Sequence, residues 1–453
     1  MASIVILGAG LTGLSAAYHL EKLGCSDFVI YEKNNTAGGL LRSHHEAGFT
    51  FDYTGHLLHI NDAYFRSFLE DITSFDNFNL VQRNAAVFSH NTLTDYPFQM
   101  HLYGLPKEVI YECIIGFTER KKNMKNPRNF YEWVLKYFGT GMGNHFFFPY
   151  NSKILSYDIK KVVPSWTGRF VPQTSLEAIL TGAFEPKQSA VGYNSSFYYP
   201  KKGGIAFIID ALQKKLTTKI VANHEAIHID THNKIVHFSN GKTEQYSHLI
   251  STAPLNNLLN ITTTKSNSSR ANALSKLICN SVLNFNLGFN CIPSLKNHWI
   301  YYPEQKYPFY RLGFWHTIAP SSVPTGMGAL YGELSYLSHQ TSPQELTTKL
   351  ALSKKIILNM LNLSSANIVI EKNLTLENAY VIYDTWRENN LIKVLDSLKT
   401  DSIYSTGRFG AWKYSSMQEA VLDGKNTAEE IYRFTYKEPV IKTIYNNNST
   451  QTL

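Results

Sequence analysis

Ser3-Ile4-Val5-Ile6-Leu7-Gly8-Ala9-Gly10-Leu11-Thr12-Gly13 opens the chain, and Gly38-Gly39-Leu40-Leu41-Arg42 follows shortly after Glu32. The unbroken apolar run before the first glycine predicts a parallel strand buried on both faces. Gly8 permits a tight turn, Gly10 lets the backbone approach a pyrophosphate, and Gly13 lets a helix pack close to the strand. Residues 14–23 carry Leu14, Ala17, Leu20 and Leu23 along one side and read as that helix. Its N-terminus offers free N–H groups to phosphate oxygens. Phe28-Val29-Ile30-Tyr31 reads as a second strand, and Glu32 at its end is placed to accept hydrogen bonds from an adenosine ribose. An acid at that position argues against NADP as the bound ligand. The second glycine signature turns the reading toward FAD.

The chain has 453 residues, room for two or three domains, and 43% of them are hydrophobic, which excludes a disordered polypeptide. No apolar stretch reaches the ~18 residues needed to cross a bilayer, so no integral membrane segment is expected. The N-terminal apolar run belongs to the first strand, with no basic region or cleavage site, so no secretory leader is expected. Cys25, Cys113, Cys279 and Cys291 are scattered without metal-ligand spacing. They predict no metal and suit a reduced, cytoplasmic setting. The net charge of +8 comes without a basic arm or nucleic-acid motif. It suits solubility or anionic small molecules rather than nucleic acid. An oligomer is compatible with the sequence.

The pattern predicts an α/β fold. A Rossmann-like FAD-binding domain is assembled from the discontinuous segments 1–95, 192–260 and 372–436. Strands are expected at 219–223, 226–229, 234–238, 244–248 and 248–254, with Asn240-Gly241 as a hairpin turn. A last strand at 403–408 precedes a helix over 417–432. A helical insertion occupies 96–191, with helices at 106–117, 130–138 and 175–181; Gly139, Gly141 and Gly143 should break the second. An antiparallel sheet insertion occupies 270–371, with strands at 281–289, 299–302, 309–316 and 329–337 and a closing helix at 343–361. Polar residues 262–269 read as a loop, and 437–453 as a tail frayed at its Asn/Thr/Ser-rich end.

Six further stretches carry a family resemblance. They are Phe51-Asp52-Tyr53-Thr54-Gly55-His56, Tyr96-Pro97-Phe98-Gln99, Pro149-Tyr150-Asn151-Ser152-Lys153, Trp166-Thr167-Gly168-Arg169, Phe309-Tyr310-Arg311, and Gly407-Arg408-Phe409-Gly410-Ala411-Trp412-Lys413-Tyr414. In this order the chain resembles the UDP-galactopyranose mutase family, its eukaryotic branch in particular. That family lies within the FAD-dependent amine oxidase and protoporphyrinogen oxidase-like superfamily. The resemblance implies an isomerase that uses flavin without net redox chemistry. The reduced flavin N5 attacks the anomeric carbon of a nucleotide sugar, the nucleoside diphosphate departs, and the sugar recloses as the furanose before the diphosphate returns. This is covalent catalysis by the cofactor. NADPH or NADH would supply the electrons.

The resemblance also implies roles. Arg169 and Arg311 stabilise the departing diphosphate through bidentate guanidinium contacts. His56, with Gly55, belongs to a histidine loop against the flavin ring. Asn151 stands near the nucleotide base, and Tyr380 and Tyr414 bond the diphosphate. Tyr96 and Asn194 complete the substrate set. Leu11, Thr12, Lys33, Leu40, Arg42, Val221, Gly407, Arg408 and Met417 join the glycines and Glu32 around the cofactor. Tyr198-Tyr199-Pro200-Lys201-Lys202-Gly203-Gly204 resembles the turn that returns the chain to the flavin domain.

Three departures concern the substrate. Leu155 stands where the eukaryotic-type mutases carry a Trp near the base. A stretch with Trp315, His316 and Ile318 replaces a phosphate-binding Tyr after Arg311. Ser415-Ser416-Met417-Gln418-Glu419-Ala420 resembles an amine-oxidase ending. The alternative readings are a flavin oxidase or desaturase of the amine oxidase type, and a degenerate flavoprotein without catalysis. A diphosphate clamp separates the mutase from the oxidase, because fold alone cannot.

Overall fold

The computed structural model describes residues 4–167, 171–186, 195–263 and 268–436. Ile4–Leu7, every residue of it buried, forms the centre of a five-stranded parallel sheet. Its neighbours are His248–Ser251 on one side and Phe28–Tyr31 on the other, flanked by Ile403–Ser405 and Ile220–Val221. Central strands with both faces covered lose almost all contact with water, which is why this run is uninterrupted Ile, Val and Leu. Helices Leu11–Lys22 and Met417–Tyr436 pack against each other on one face of the sheet. A four-stranded sheet containing the hairpin Ile235–Phe238 and Thr243–Gln245 lies beside the other. The predicted turn is there, with Gly241 in the left-handed region at φ 82°.

The first helix begins at Leu11, three residues before the apolar pattern begins, so Gly13 lies inside it. A Cβ at Gly13 would collide with the Gly8 carbonyl oxygen, so the close helix–strand approach read from the sequence is present. Residues 262–269 are not wholly a loop. Thr262–Thr263 pairs with Ile229–Asp230, and a helix begins at Ser268, on either side of residues outside the description. The tail, 437–453, lies outside the described residues.

The second large sheet has seven strands. Their order is Ile368–Leu376, Ser281–Phe289, Gly328–Tyr336, Arg311–Phe314, Trp299–Tyr301, Ala85–Ser89 and Thr92–Asp95. It therefore reaches beyond the expected 270–371 segment. The hairpin at 85–95, expected in the flavin segment, joins it through a parallel pairing of Ala85–Val87 with Trp299–Tyr301. Strand Ser281–Phe289 is buried at all nine positions. Its odd-numbered apolar residues face helix Pro343–Leu361, while Asn284 and Asn286 point to the opposite face, where they hydrogen-bond. Residues 309–316 are not strand throughout, because the chain turns into a short helix at Trp315–Ile318.

The helical insertion contains Lys107–Thr118, Phe130–Tyr137 and Leu176–Phe184. Of the three glycines expected to break the second helix, only Gly139 does so, at φ 80°. Gly141 and Gly143 continue a helical path through a π-helical turn into Phe148–Leu155. The reason is packing. A Cβ at Gly141 would strike the Glu112 carbonyl, so glycine there serves close helix–helix approach. No helix among the described residues is long and apolar enough to cross a membrane.

Candidate functional site

The carboxyl ends of the parallel strands meet in one crevice, where open α/β sheets bind ligands. Gly8 leaves the first strand at φ 98°, a conformation that disfavours residues with a Cβ. The Ala9 N–H donates to Glu32 Oε2 at 2.9 Å, and Asn34 donates twice to Oε1. The Gly38 N–H donates to the Ala9 carbonyl at 2.9 Å, bringing the two glycine signatures together. A Cβ at Gly10 would project into the gap facing Gly39, with the Gly39 Cα 3.8 Å away and no other atom near. That gap is a backbone-walled slot with helix-terminal N–H groups behind it, which fits a pyrophosphate. Glu32 and Gly407-Arg408 line the same slot, with Gly407 packed close to Thr12.

The slot continues into a single cavity of about 1160 Å³. Its wall holds Gly8, Gly10, Leu11 and Thr12, then Glu32, Lys33, Gly38, Gly39, Leu40 and Arg42. Gly55, His56, Gly407, Arg408 and Met417 follow, and then Arg311, Tyr380 and Tyr414. Cofactor-side and substrate-side residues thus share one space. Four expected residues stand elsewhere. Gly13 is packed beneath the cradle. The Val221 carbonyl accepts the Glu32 N–H at 3.0 Å, and His224 to Ile227 form the wall at that end. Tyr96 stands behind the wall residue Tyr301, ring centroids 5.0 Å apart. Asn151 is buried, and its Nδ2 donates to the Phe147 carbonyl at 2.8 Å, one turn back along its own helix. Arg169 and Asn194 lie outside the described residues.

Arg311 opens its strand directly opposite Glu333. Nε and Nη2 donate to the two carboxylate oxygens at 2.6 and 2.7 Å, and Glu333 is wholly buried. The pair holds Arg311 charged, its pKa well above the ordinary value. The fork fixes the guanidinium plane and leaves Nη1 outside the pair. Tyr301, Tyr310 and Tyr331 line the wall around it. Glu333, Tyr301 and Tyr331 were not singled out from the sequence. The available signal for Glu333 is one acid in an otherwise uncharged strand.

His56 forms part of the cavity wall. Burial first, then the nearby Arg408 and Arg311 charges, depress its pKa to about 3, so the imidazole is neutral. Arg408 donates to the Ala379 and Ser415 carbonyls, and its guanidinium lies 4.8 Å from the Tyr414 ring centre. Tyr414 stacks with Tyr380, planes 11° apart. Burial raises the Tyr380 hydroxyl to about 12, which keeps it a hydrogen-bond donor. Arg42 donates to the Gly39 carbonyl and lies 4.8 Å over the Tyr53 ring. Asp52 anchors the loop that carries His56. It accepts from Ser43 and Tyr199 at 2.6 Å each and from the Ile205 N–H, and burial raises its pKa to about 6.

The departures from the family pattern have clear structural outcomes. Trp315 is buried and donates to Asn286 Oδ1, and His316 bonds Ala329; neither is in the cavity wall. Leu155 packs in the core of the helical insertion. Among the described residues, no group of three His, Cys, Asp or Glu could hold a metal.

A parallel sheet with a glycine-walled dinucleotide slot that continues into a polar cavity defines a dinucleotide-binding flavoprotein fold. The chain belongs to the flavin-containing amine oxidoreductase family, whose model matches residues 11–432. Family and slot together point to FAD. The structure is similar to that of reduced UDP-galactopyranose mutase, with TM-score 0.88 and 29% identity over 96% of this chain and 97% of that one. A putative protoporphyrinogen oxidase from Exiguobacterium sp. 255-15 shares the fold, with TM-score 0.75 and 16% identity over 95% and 98%. A 4,4'-diapophytoene desaturase from Staphylococcus aureus is 39% identical over 61 residues, 14% of this chain and only 12% of the desaturase.

Proposed function

We propose that the protein is a reduced-flavin-dependent nucleotide-sugar pyranose–furanose mutase, an isomerase. The observation that carries this reading is Arg311, charged and locked by Glu333, in the wall of the cavity that continues from the dinucleotide slot. A departing diphosphate needs a guanidinium there, and the simple amine of an amine oxidase does not. The mutase similarity at 29% identity supports the same reading.

The two glycine signatures, Glu32 and Gly407-Arg408 would hold the FAD. Reduced FAD, with electrons from NADPH or NADH, would supply the nucleophilic nitrogen for the anomeric carbon. Arg311, with Arg169 as its partner, meets the negative charge that grows on the diphosphate. Tyr380, its hydroxyl kept protonated by burial, and Tyr414 donate hydrogen bonds to the same oxygens. Neutral His56 adds no further cation beside the flavin ring. The tyrosine-rich wall excludes water from the sugar while its bond to the diphosphate is broken.

The test incubates dithionite-reduced protein with a panel of nucleotide sugars and separates the products by chromatography. A furanose isomer supports the reading. A full panel recovered unchanged contradicts it.

A further inference from the structure

Lys153 ends the Pro-Tyr-Asn-x-Lys motif, yet it does not line the cavity. It leaves helix Phe148–Leu155 and reaches the connection between strands Trp299–Tyr301 and Arg311–Phe314. Its Nζ lies 2.8 Å from the Tyr302 carbonyl oxygen, 2.5 Å from that of Glu304 and 2.9 Å from that of Tyr307; the Phe309 carbonyl is at 3.5 Å. An ammonium has three protons, and three carbonyls take them at short range. Burial pushes the amine down to about 7, opposed by the Glu304 carboxylate. The accepting carbonyls favour the charged form further. The side chains of Tyr302, Tyr307 and Phe309 are buried in the core behind the sheet, but the backbone of the connection has few other partners. Tyr302 donates to the Tyr310 carbonyl, Tyr307 to Glu304, and the Glu304 carboxylate accepts from the His90 N–H.

The next residue along the helix makes the second link. The Ile154 carbonyl accepts from Asn280 Nδ2 at 2.7 Å and from Ser335 Oγ at 2.8 Å. Asn280 Oδ1 in turn accepts the Tyr380 N–H at 2.8 Å. One helical turn therefore holds the chain leading into Arg311 and the chain carrying Tyr380.

We propose that Lys153 is a positioning residue: its ammonium is the internal cation that folds the Tyr302–Phe309 carbonyls into a cage and so aims Arg311 at the diphosphate of the substrate. This rests on the mutase reading of the cavity. Without the cation the converging carbonyl dipoles repel one another, the backbone of the connection shifts, and the strand that carries the Arg311–Glu333 pair shifts with it, while the flavin slot, built from other segments, is untouched.

The experiment titrates FAD-loaded full-length protein with uridine diphosphate, following the flavin absorbance, for the parent and for Lys153→Ala. The expected result is about tenfold weaker binding, the scale of a hydrogen bond to a charged group. FAD content should be unchanged. Propylammonium should restore the affinity, and 1-propanol, which matches it in size without charge, should not. Unchanged affinity in Lys153→Ala, or equal rescue by propanol, would overturn the assignment. If Lys153→Ala does not fold, Lys153→Met, which keeps the apolar stem, takes its place with the same two criteria. If neither folds, and propylammonium during refolding recovers no holoprotein, the lysine is a general stability element and the proposal fails. A parent protein that binds neither uridine diphosphate nor any of the other common nucleoside diphosphates would instead remove the mutase reading, and this inference with it.

Discussion

Arg311 and Glu333 face each other across two antiparallel strands, their side chains joined by hydrogen bonds of 2.6 and 2.7 Å with Glu333 wholly buried. Desolvating a carboxylate completely is costly, and pairing it bidentately with a cation offsets that cost. The pair orients Arg311 while the carboxylate offsets part of its electrostatic field. Removing the carboxylate as Glu333→Ala leaves a buried guanidinium unpaired. The expected loss of stability is about 3–5 kcal/mol, read by urea denaturation. Glu333→Gln keeps the shape and should lose less. Equal stability of parent and Glu333→Ala would show that the pair is not the anchor described.

Arg311→Ala strands the buried Glu333 carboxylate and should cost stability, so its rate is read on the FAD-loaded fraction, where isomerisation should fall. The expected loss of transition-state stabilisation is about 2–4 kcal/mol, the scale of a removed oxyanion donor. Arg169→Ala should cost a similar amount. The measurement is kcat/KM with the best substrate of the panel. Near-parental turnover by either variant would remove that arginine from the mechanism.

The dinucleotide slot makes a paired prediction. A methyl group at Gly10 enters the gap facing Gly39, whereas one at Gly13 strikes the Gly8 carbonyl. Gly10→Ala should therefore weaken FAD binding by about tenfold or more, seen as lost flavin absorbance, with little change in apoprotein stability. Gly13→Ala should lower the stability of the apoprotein itself. The reverse ranking would mean that the slot is not where the pyrophosphate lies.

His56 should show a distinctive acid response. Its folded pKa is about 3 against an ordinary 6.5. Between these values the unfolded chain holds a proton that the folded chain lacks. Stability from this group is present above pH 6.5 and is lost as the pH falls toward 3. His56→Gln cannot titrate, so its stability should vary less with pH across that window than the parent's. Parallel profiles for the two proteins would contradict a neutral, buried imidazole.

The features legible in the sequence were local ones. Strand, glycine turn, helix and Glu32 follow one another within one βαβ unit, so spacing alone places them. Arg311, His56, Tyr414 and Arg408 stand in short motifs, Tyr380 follows from the family resemblance alone, and the fold brings all five into one cavity wall. Long-range pairing was not legible. Glu333 lies twenty-two residues from Arg311, and only the strand register makes them neighbours. The hairpin at 85–95 joins the larger sheet through a parallel partner more than two hundred residues away. Gly141 reads as a helix breaker by propensity, but tertiary packing against the helix Lys107–Thr118 overrides it. Asn151 sits in a quoted motif yet spends its side chain on its own helix.

The central claim is that the bound flavin acts without being consumed as a reductant. Under anaerobic conditions, protein reduced once with dithionite and freed of excess should be given nucleotide sugar, and product counted against flavin. The account predicts many furanose molecules per flavin, with the flavin spectrum still that of the reduced form at the end. A single product per reduced flavin, or turnover only by oxidised protein with peroxide released in air, would contradict it.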